Sequence, residues 1–531
     1  MLVRINNIKI PITENQDFKK YLKENYSIHP DSVSSIKVSK KSVDARSKNK
    51  MIYFVYSVDA EIENNINIPE NQNIQEITNN KYISPETGEM PLKKPPLIAG
   101  SGPAGLFCAL NLARRGFKPI IAEMGSEISK RKKDVENFRS NGILNPKSNI
   151  QFGEGGAGTF SDGKLNTLIS DKNNRIEKIY QDFHIFGAPE NILYYNKPHI
   201  GTDILEIVVK NIRNEIINLG GTFLFDSEIT DIEISDSAVK SITLNAGEKI
   251  YTDILILATG HSSRNMYFLL KNKGVKLEQK AFSVGLRIEH PQLIINQSQY
   301  GKFFSHPALG AADYKLSCRT PDKRAVYTFC MCPGGEVIAS ASESETVVTN
   351  GMSKYLRNLE NANSALLVNI DPADFRSDDP VAGIYFQKDI EKKAFMLGGN
   401  NYHAPAQYCG SFLGENKKSY FSVKPTYRPG TKISNLKNIF PEYVYESLQY
   451  GIKDFGKKIK YFDDNSAFLT APETRSSSPV RILRTENFES VNTKGLFPAG
   501  EGAGYSGGIT SSAVDGLKIA EKITETFYPD Y

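Results

Sequence analysis

The sequence predicts an α/β protein. A discontinuous dinucleotide-binding domain carries a mixed α+β domain, and a small βαββ unit precedes both. Three observations lead there. An apolar strand at residues 97–99 runs into the turn Gly100-Ser101-Gly102-Pro103-Ala104-Gly105 and then into a helical pattern. A second strand–glycine–helix segment, residues 496–509, stands near the end of the chain. The 531 residues exceed what one hydrophobic core usually organises, so two or three domains are expected.

Taken in order, residues 1–62 alternate as strand, helix, strand, strand: 3–10, 17–25, 33–38 and 51–58. Residues 63–94 are rich in Asn, Pro, Glu and Lys and read as a linker or crossing segment. The dinucleotide domain takes residues 95–279 and returns at 481–531, with a substrate domain at 280–480 between. Within its first part, Thr202 and Asp203 are placed to cap a helix running to about Leu219. The runs 222–225, 229–234, 239–244 and 249–251 then read as an antiparallel meander before the apolar strand 254–258.

Bulk composition narrows the function. Hydrophobic residues make up 40% and charged residues 24%, an ordinary globular balance. A net charge of +5 is too dilute for a nucleic-acid surface, and the basic stretches 37–50 and 129–133 read as solvated faces. Five cysteines make no disulfide framework and fit a reducing compartment. No apolar run is long enough for a signal peptide or a membrane span, so a cytoplasmic protein is expected. No His/Cys spacing suggests a metal.

The first glycine turn has the context that a phosphate-binding fingerprint needs. Gly100 makes the turn, Gly102 lets a pyrophosphate approach the backbone, and Gly105 lets helix pack on strand. The helix N-terminus then faces the phosphates with free N–H groups. Glu123 ends the second strand, where a carboxylate accepts from ribose hydroxyls and repels a 2′-phosphate. This Rossmann-type reading makes a dinucleotide the expected ligand of the turn. The segment 151–164 is dense in glycine. Its Gly155, Gly156 and Gly158 expose backbone donors, to which Thr159, Ser161 and Lys164 add their own. Ala258-Thr259-Gly260 ends an apolar strand beside the dinucleotide. Gly500, Glu501, Gly507, Gly508 and Ile509 form the C-terminal turn and helix start.

Together these segments, with residues 328–335 (TFCMCPGG) and 473–482 (ETRSSSPVRI), resemble the bacterial FAD-dependent dehydrogenase family. That family lies within the glutathione-reductase-like flavoproteins that carry one dinucleotide domain. The resemblance spans most of residues 95–527. It implies FAD, with the adenosine half along residues 100–105, Glu123 and Met124, and the ribityl and flavin near 501–509. Many relatives carry Asp in the C-terminal turn where this chain has Glu501. The implied activity is a two-electron transfer between FAD and a small organic substrate.

Four residues are candidates for chemistry. His261 follows the strand-end turn, and Arg475 lies among hydroxyls where it could clamp an anionic substrate, line the flavin pocket or form part of a surface loop. Cys330 and Cys332 occupy a strand-like run. A regular strand puts both sulfurs on one face with Cα atoms about 6.6 Å apart, near the limit for a bridge, so buried structural thiols are the expectation, with a single reactive thiol beside the flavin as the alternative. No second GxGxxG precedes an acid, which disfavours a dedicated NAD domain. NAD(P)H as a transient donor to a monooxygenase is one alternative. A non-enzymatic flavoprotein whose N-terminal unit binds RNA or protein is another.

Overall fold

Leu97–Ala99, Leu255–Leu257 and Leu496–Pro498 are buried at every position, which suits strands covered on both faces rather than one. In the computed structural model, which describes residues 1–64, 73–78, 80–415 and 418–531, they form the middle of a five-stranded parallel sheet. Its order is Leu496–Pro498, Leu255–Leu257, Leu97–Ala99, Ile120–Ala122 and Thr222–Leu224. One core, with Leu106, Phe107, Leu110, Val208, Ile212 and Leu517, fills the space under the helices Pro103–Arg114, Thr202–Asn218 and Ile509–Thr526. The opposite face carries Ile232, Ile242, Met266, Tyr267 and Leu270.

Two expectations within this domain change. Thr222–Leu224 does not belong to the meander. It pairs in parallel with Ile120–Ala122 at the sheet edge, leaving Ile229–Ser235, Ala238–Leu244 and Lys249–Tyr251 as the antiparallel unit. Period-two alternation is the same in either setting, so the run could not declare its partner. The helix Thr202–Asn218 has Gly201 at its N-cap and no side-chain cap. The Thr202 hydroxyl instead donates to the Thr159 carbonyl (2.6 Å), and Asp203 accepts from the Tyr355 N–H (2.8 Å).

Close helix packing fixes the glycine turn. A Cβ on Gly105 would lie 2.0 Å from the Gly100 carbonyl oxygen, and one on Gly516 would lie 2.0 Å from that of Ala104. Both glycines permit contacts that no side chain could share.

The second body is a seven-stranded sheet ordered Ser317–Arg319, Ala325–Cys332, Asn361–Ile370, Phe282–Pro291, Phe468–Glu473, Ala404–Tyr408 and Thr431–Ile433. Its pairs are antiparallel except the last. The N-terminal unit pairs Val33–Asp44, Tyr53–Ile62 and Leu2–Pro11 antiparallel, with Phe18–Tyr26 as its helix. The segment expected to be a linker is more than that. Ile74–Glu76 adds a fourth strand to the N-terminal sheet, and Met90–Leu92 pairs in parallel with Phe527–Pro529. The linker residues 65–72 and 79 lie outside the described residues.

Candidate functional site

The carboxyl ends of the central parallel strands open onto one cavity of about 1540 Å³. Drug-sized ligands occupy roughly 300–1,000 Å³, so an extended dinucleotide and a second molecule have room together. The fingerprint supplies Gly100, Gly102, Pro103 and Ala104 to its wall, followed by Glu123 and Met124. Gly156, Gly158 and Ser161 come from the second glycine segment, and Ala258, Thr259, Gly260 and His261 from the strand end. Gly500, Glu501, Gly507, Gly508 and Ile509 close the same space. Ser101, Gly105, Gly155 and Thr159 stand behind this wall rather than in it.

Several glycines leave a cradle. Added Cβ atoms on Gly260, Gly507 and Gly508 meet nothing within 4 Å, and one on Gly102 meets only Gly156 Cα at 3.7 Å. A flat or phosphorylated ligand can therefore approach the backbone at both ends of the cavity, as FAD would require.

Glu123 is 6% exposed and already heavily engaged. Oε2 accepts from the N–H and hydroxyl of Ser101, both at 2.8 Å, and Oε1 from the N–H of Gly125 (2.9 Å) and Gly153 (3.0 Å). Four donors match the four lone-pair sites of a carboxylate. Besides any ribose contact, this residue ties the two glycine segments together.

Two of the expected donors of the second segment are engaged within the protein. Ser161 donates to the Gly158 carbonyl (2.6 Å), and Lys164 pairs with Asp162 (2.6 Å) and bonds the Met331 carbonyl, whereas the Thr159 hydroxyl is buried with no hydrogen-bond partner among the described residues. Arg131 organises the loop instead. Its guanidinium is fully buried and donates to the carbonyls of Asn149 (2.9 Å), Ile150 (3.0 Å), Gly153 (3.2 Å) and Glu154 (2.6 Å). The stretch 129–133 is thus not simply a solvated face. Ile128, Arg131, Val135 and Phe138 share the buried stripe of the helix Ile128–Asn141, a spacing that could have singled Arg131 out.

Arg475 lines the cavity, but it is neither a free clamp nor part of a surface loop. It is 6% exposed and forms a buried pair with Glu391 (Nε–Oε1 3.1 Å, Nη2–Oε2 3.0 Å). Arg264 grips the same carboxylate from the other side at 2.8 and 2.9 Å. Although desolvation opposes ionisation, Arg264 and Arg475 hold Glu391 down at about 2. Arg287 makes a second buried fork with Glu473, at 2.6 and 3.0 Å. The long separations in sequence hid both clusters.

His261 and Glu501 face one another across the cavity wall, Nδ1 lying 3.8 Å from Oε1. Burial, with Arg475 nearby, lowers the imidazole to about 4. As a neutral ring it donates from Nε2 to the Arg475 carbonyl (3.0 Å), which leaves Nδ1 as the acceptor. Burial pushes the Glu501 carboxyl up to about 7, against Lys280 and a hydrogen bond from the Gly508 N–H.

Cys330 and Cys332 depart most from expectation. The strand is not regular there. Its register against Asn361–Ile370 jumps between Phe329 and Cys332, and Cys330 sits at φ +41°. Cys330 reaches the cavity, whereas Cys332 is fully buried behind it.

The N-terminal unit also contributes to the wall, with Lys41, Ser42, Val43, Ala45 and Phe54. Lys41 exchanges backbone hydrogen bonds with Tyr194 (2.7 Å) and Asn196 (2.9 Å). Its ammonium lies 4.2 Å from the Phe54 ring centroid and 5.4 Å from that of Tyr195. Burial lowers its pKa. Read in sequence as part of a solvated basic stretch, Lys41 is a cation facing the cavity. Among the described residues no helix is long and apolar enough to cross a membrane.

A family model described as "FAD-dependent protein, C-terminal domain-like" matches residues 281–476, and a domain of unknown function, DUF8436, matches residues 2–61. The chain is 27% identical to a digeranylgeranylglycerophospholipid reductase of Haloferax volcanii over 168 residues, 32% of this chain and 35% of that one. Among solved structures it is similar to an L-amino acid deaminase from Proteus myxofaciens in complex with anthranilate. That likeness has 10% identity and a TM-score of 0.37, and covers 85% of this chain and 95% of the other. It is also similar to a glycerol-3-phosphate dehydrogenase from Bacillus halodurans complexed with FAD, at 10% identity and a TM-score of 0.33, over 82% and 64% of the two chains. With 44% identity over 540 residues, 99% of each chain, the protein belongs to the same family as a Clostridium beijerinckii protein described as uncharacterized.

Proposed function

We propose that the protein is an FAD-dependent oxidoreductase that moves two electrons between a small organic substrate and the flavin. The observation that carries this reading is the shared cavity. The fingerprint turn, the end of Leu255–Leu257 and the turn before Ile509–Thr526 all open into it, and they are separated by long stretches of sequence. The match of residues 281–476 to a domain of FAD-dependent proteins supports it. In this reading residues 100–105 hold the pyrophosphate, Glu123 and Met124 flank the adenosine ribose, and Gly507–Ile509 face the flavin. When bound, the flavin accepts or gives the electron pair.

The chain's own residues shape what can react. Lys41, Phe54, Tyr195 and Tyr300 line the part of the cavity between the N-terminal unit and the seven-stranded body, where the substrate is placed. Lys41 lacks a carboxylate partner among the described residues and favours an anionic group on that substrate. Glu501, holding its proton near neutrality beside the neutral His261, is the group suited to giving or taking a proton at the flavin end.

The test is direct. Purified protein should be yellow and release FAD on heating. Release of FMN, or no flavin in protein refolded with excess FAD, overturns the reading. Anaerobic bleaching by a panel of organic acids and amines then identifies the substrate class. Rapid oxygen consumption by the reduced protein with NADPH would favour a monooxygenase instead.

A further inference from the structure

Cys330 and Cys332 stand at a break in an otherwise regular strand. Pairing runs Phe329↔Ala365 and resumes at Cys332↔Asn363, so Cys330 and Met331 together oppose Ser364. Such a bulge re-aims a side chain. Here it turns Cys330 toward the cavity at φ +41°, a conformation that costs a non-glycine residue energy and persists only where its surroundings enforce it. The enforcement is visible. Arg287 Nη1 donates to the Cys330 carbonyl at 2.9 Å, and Lys164 bonds the carbonyl of Met331. The Cys332 sulfur lies 3.3 Å from the Cys330 carbonyl oxygen and 4.0 Å from Arg287 Nη1. Neither cysteine is in a disulfide. The neighbouring Cys332 side chain, with Lys164 and Arg287 close by, holds the Cys330 thiol well below its ordinary range, whereas burial beside Cys330 keeps the proton on Cys332. One thiol is thus activated and open to the cavity, and its neighbour is held in reserve behind it.

We propose that Cys330 and Cys332 are a redox-active dithiol, in which Cys330 attacks a low-molecular-weight disulfide in the cavity and Cys332 resolves the product. The Cys330 thiolate forms a bond to one sulfur of R–S–S–R, and the R–S–S–R bond breaks. The departing thiolate takes a proton from solvent. Cys332 then gives up its proton and displaces the second thiolate from the Cys330 sulfur, which closes the Cys330–Cys332 bond. The protein dithiol is oxidised by two electrons, and the external disulfide is reduced to two thiols. Return to the dithiol needs two electrons and two protons. A reduced flavin in the same cavity would supply the electrons, and that step alone rests on the proposed function. The pair then gives the flavin's electrons an exit to a disulfide acceptor.

The experiment uses the protein as purified, in a Cys318→Ser background because Cys318 is partly exposed. Oxidised glutathione is added anaerobically at neutral pH, and products are mapped by peptide mass. The background protein should gain a Cys330–Cys332 crosslink and retain no glutathione. Adding Cys332→Ser should leave one glutathione on Cys330, and adding Cys330→Ser should leave Cys332 unmodified. Cys330 should react about tenfold faster than an ordinary exposed thiol, through its larger thiolate fraction. Two free thiols after exposure, or glutathione on Cys330 at only the ordinary rate, overturn the proposal. Crosslinking in a protein that binds no flavin supports the dithiol and overturns the flavin reading. Inert thiols in flavin-loaded protein overturn the dithiol alone.

Discussion

Arg131 lies in a run of five polar and basic residues, yet its guanidinium is buried and spread over four backbone carbonyls of the second glycine segment. Among the described residues no carboxylate pairs with it directly, and burial lowers its pKa to about 10 although Glu123 and Glu154 stand nearby. Each carbonyl stripped of its donor in a buried site costs about 1–3 kcal/mol. Arg131→Lys keeps the charge but cannot span four acceptors with three donors on one nitrogen. We expect it to lose at least about 3 kcal/mol in denaturant unfolding and to lower cofactor occupancy in parallel, because the loop it holds also hydrogen-bonds Glu123 through Gly153. Unfolding unchanged from wild type would show that the loop keeps its shape without Arg131. The residue scale is also where the sequence was least legible. Charge marked Arg131 as exposed, while its place in the stripe 128, 131, 135, 138 marked it as buried, and only packing decides between the two.

The strand–turn–helix elements were legible because their signals are local. Leu97–Ala99 with Pro103–Arg114, and Leu496–Pro498 with Ile509–Thr526, each combine an apolar run, glycines and a helical stripe within a short window. The bulge at Cys330 and the parallel pairing of Thr222–Leu224 are set by distant strands, and no local pattern reports them. The helix Ile509–Thr526 lets its role be tested cleanly. Its free N–H groups and dipole would stabilise negative charge on a reduced flavin by about 1–2 kcal/mol, raising a two-electron potential by roughly 20–40 mV. Gly508 is a confounded site for the test because φ is +103°, so an alanine there is strained whether or not a ligand is present. Gly507 has no such φ and open space around its Cβ position. Gly507→Ala should keep ligand-free stability within about 0.5 kcal/mol. It should also lower FAD affinity or shift the flavin potential downward. A variant with wild-type affinity and potential would remove the helix N-terminus from the flavin end of the cavity.

At the scale of the whole molecule, Glu391 is the junction between the two large bodies. It lies on the helix Ala382–Gly398 and is held by Arg264 of the helix Arg264–Asn272 and by Arg475, just beyond the strand Phe468–Glu473. Such a junction leaves no trace in local pattern, because its three members are far apart in sequence and each sits among residues of ordinary periodicity. The carboxylate is fully buried and titrates at about 2, against an ordinary 4.5. Between those values the unfolded chain binds a proton that the folded protein refuses, so stability is present above pH 4.5 and drains away as pH falls toward 2. A depression of this size corresponds to about 3 kcal/mol. Buried groups shifted the other way act in a higher window. Glu289, raised to about 7 by burial, keeps its proton when folded and so favours folding as pH drops from 7 to 4.5. His261 and His290, both near 4, oppose it over much of that range because the unfolded chain protonates them first. With His199 also near 4 and Glu501 also near 7, three imidazoles oppose two carboxyls, so stability already declines between pH 6.5 and 4.5 and the Glu391 loss adds to it below pH 4.5. Glu391→Gln leaves two buried guanidiniums facing a neutral amide, and at pH 7 it should cost about 3–5 kcal/mol. Having nothing left to protonate there, the variant should also show a shallower acid limb between pH 4.5 and 2 in urea unfolding. A variant that is destabilised at neutral pH but keeps the wild-type acid slope would mean that Glu391 holds the bodies together by packing rather than by charge.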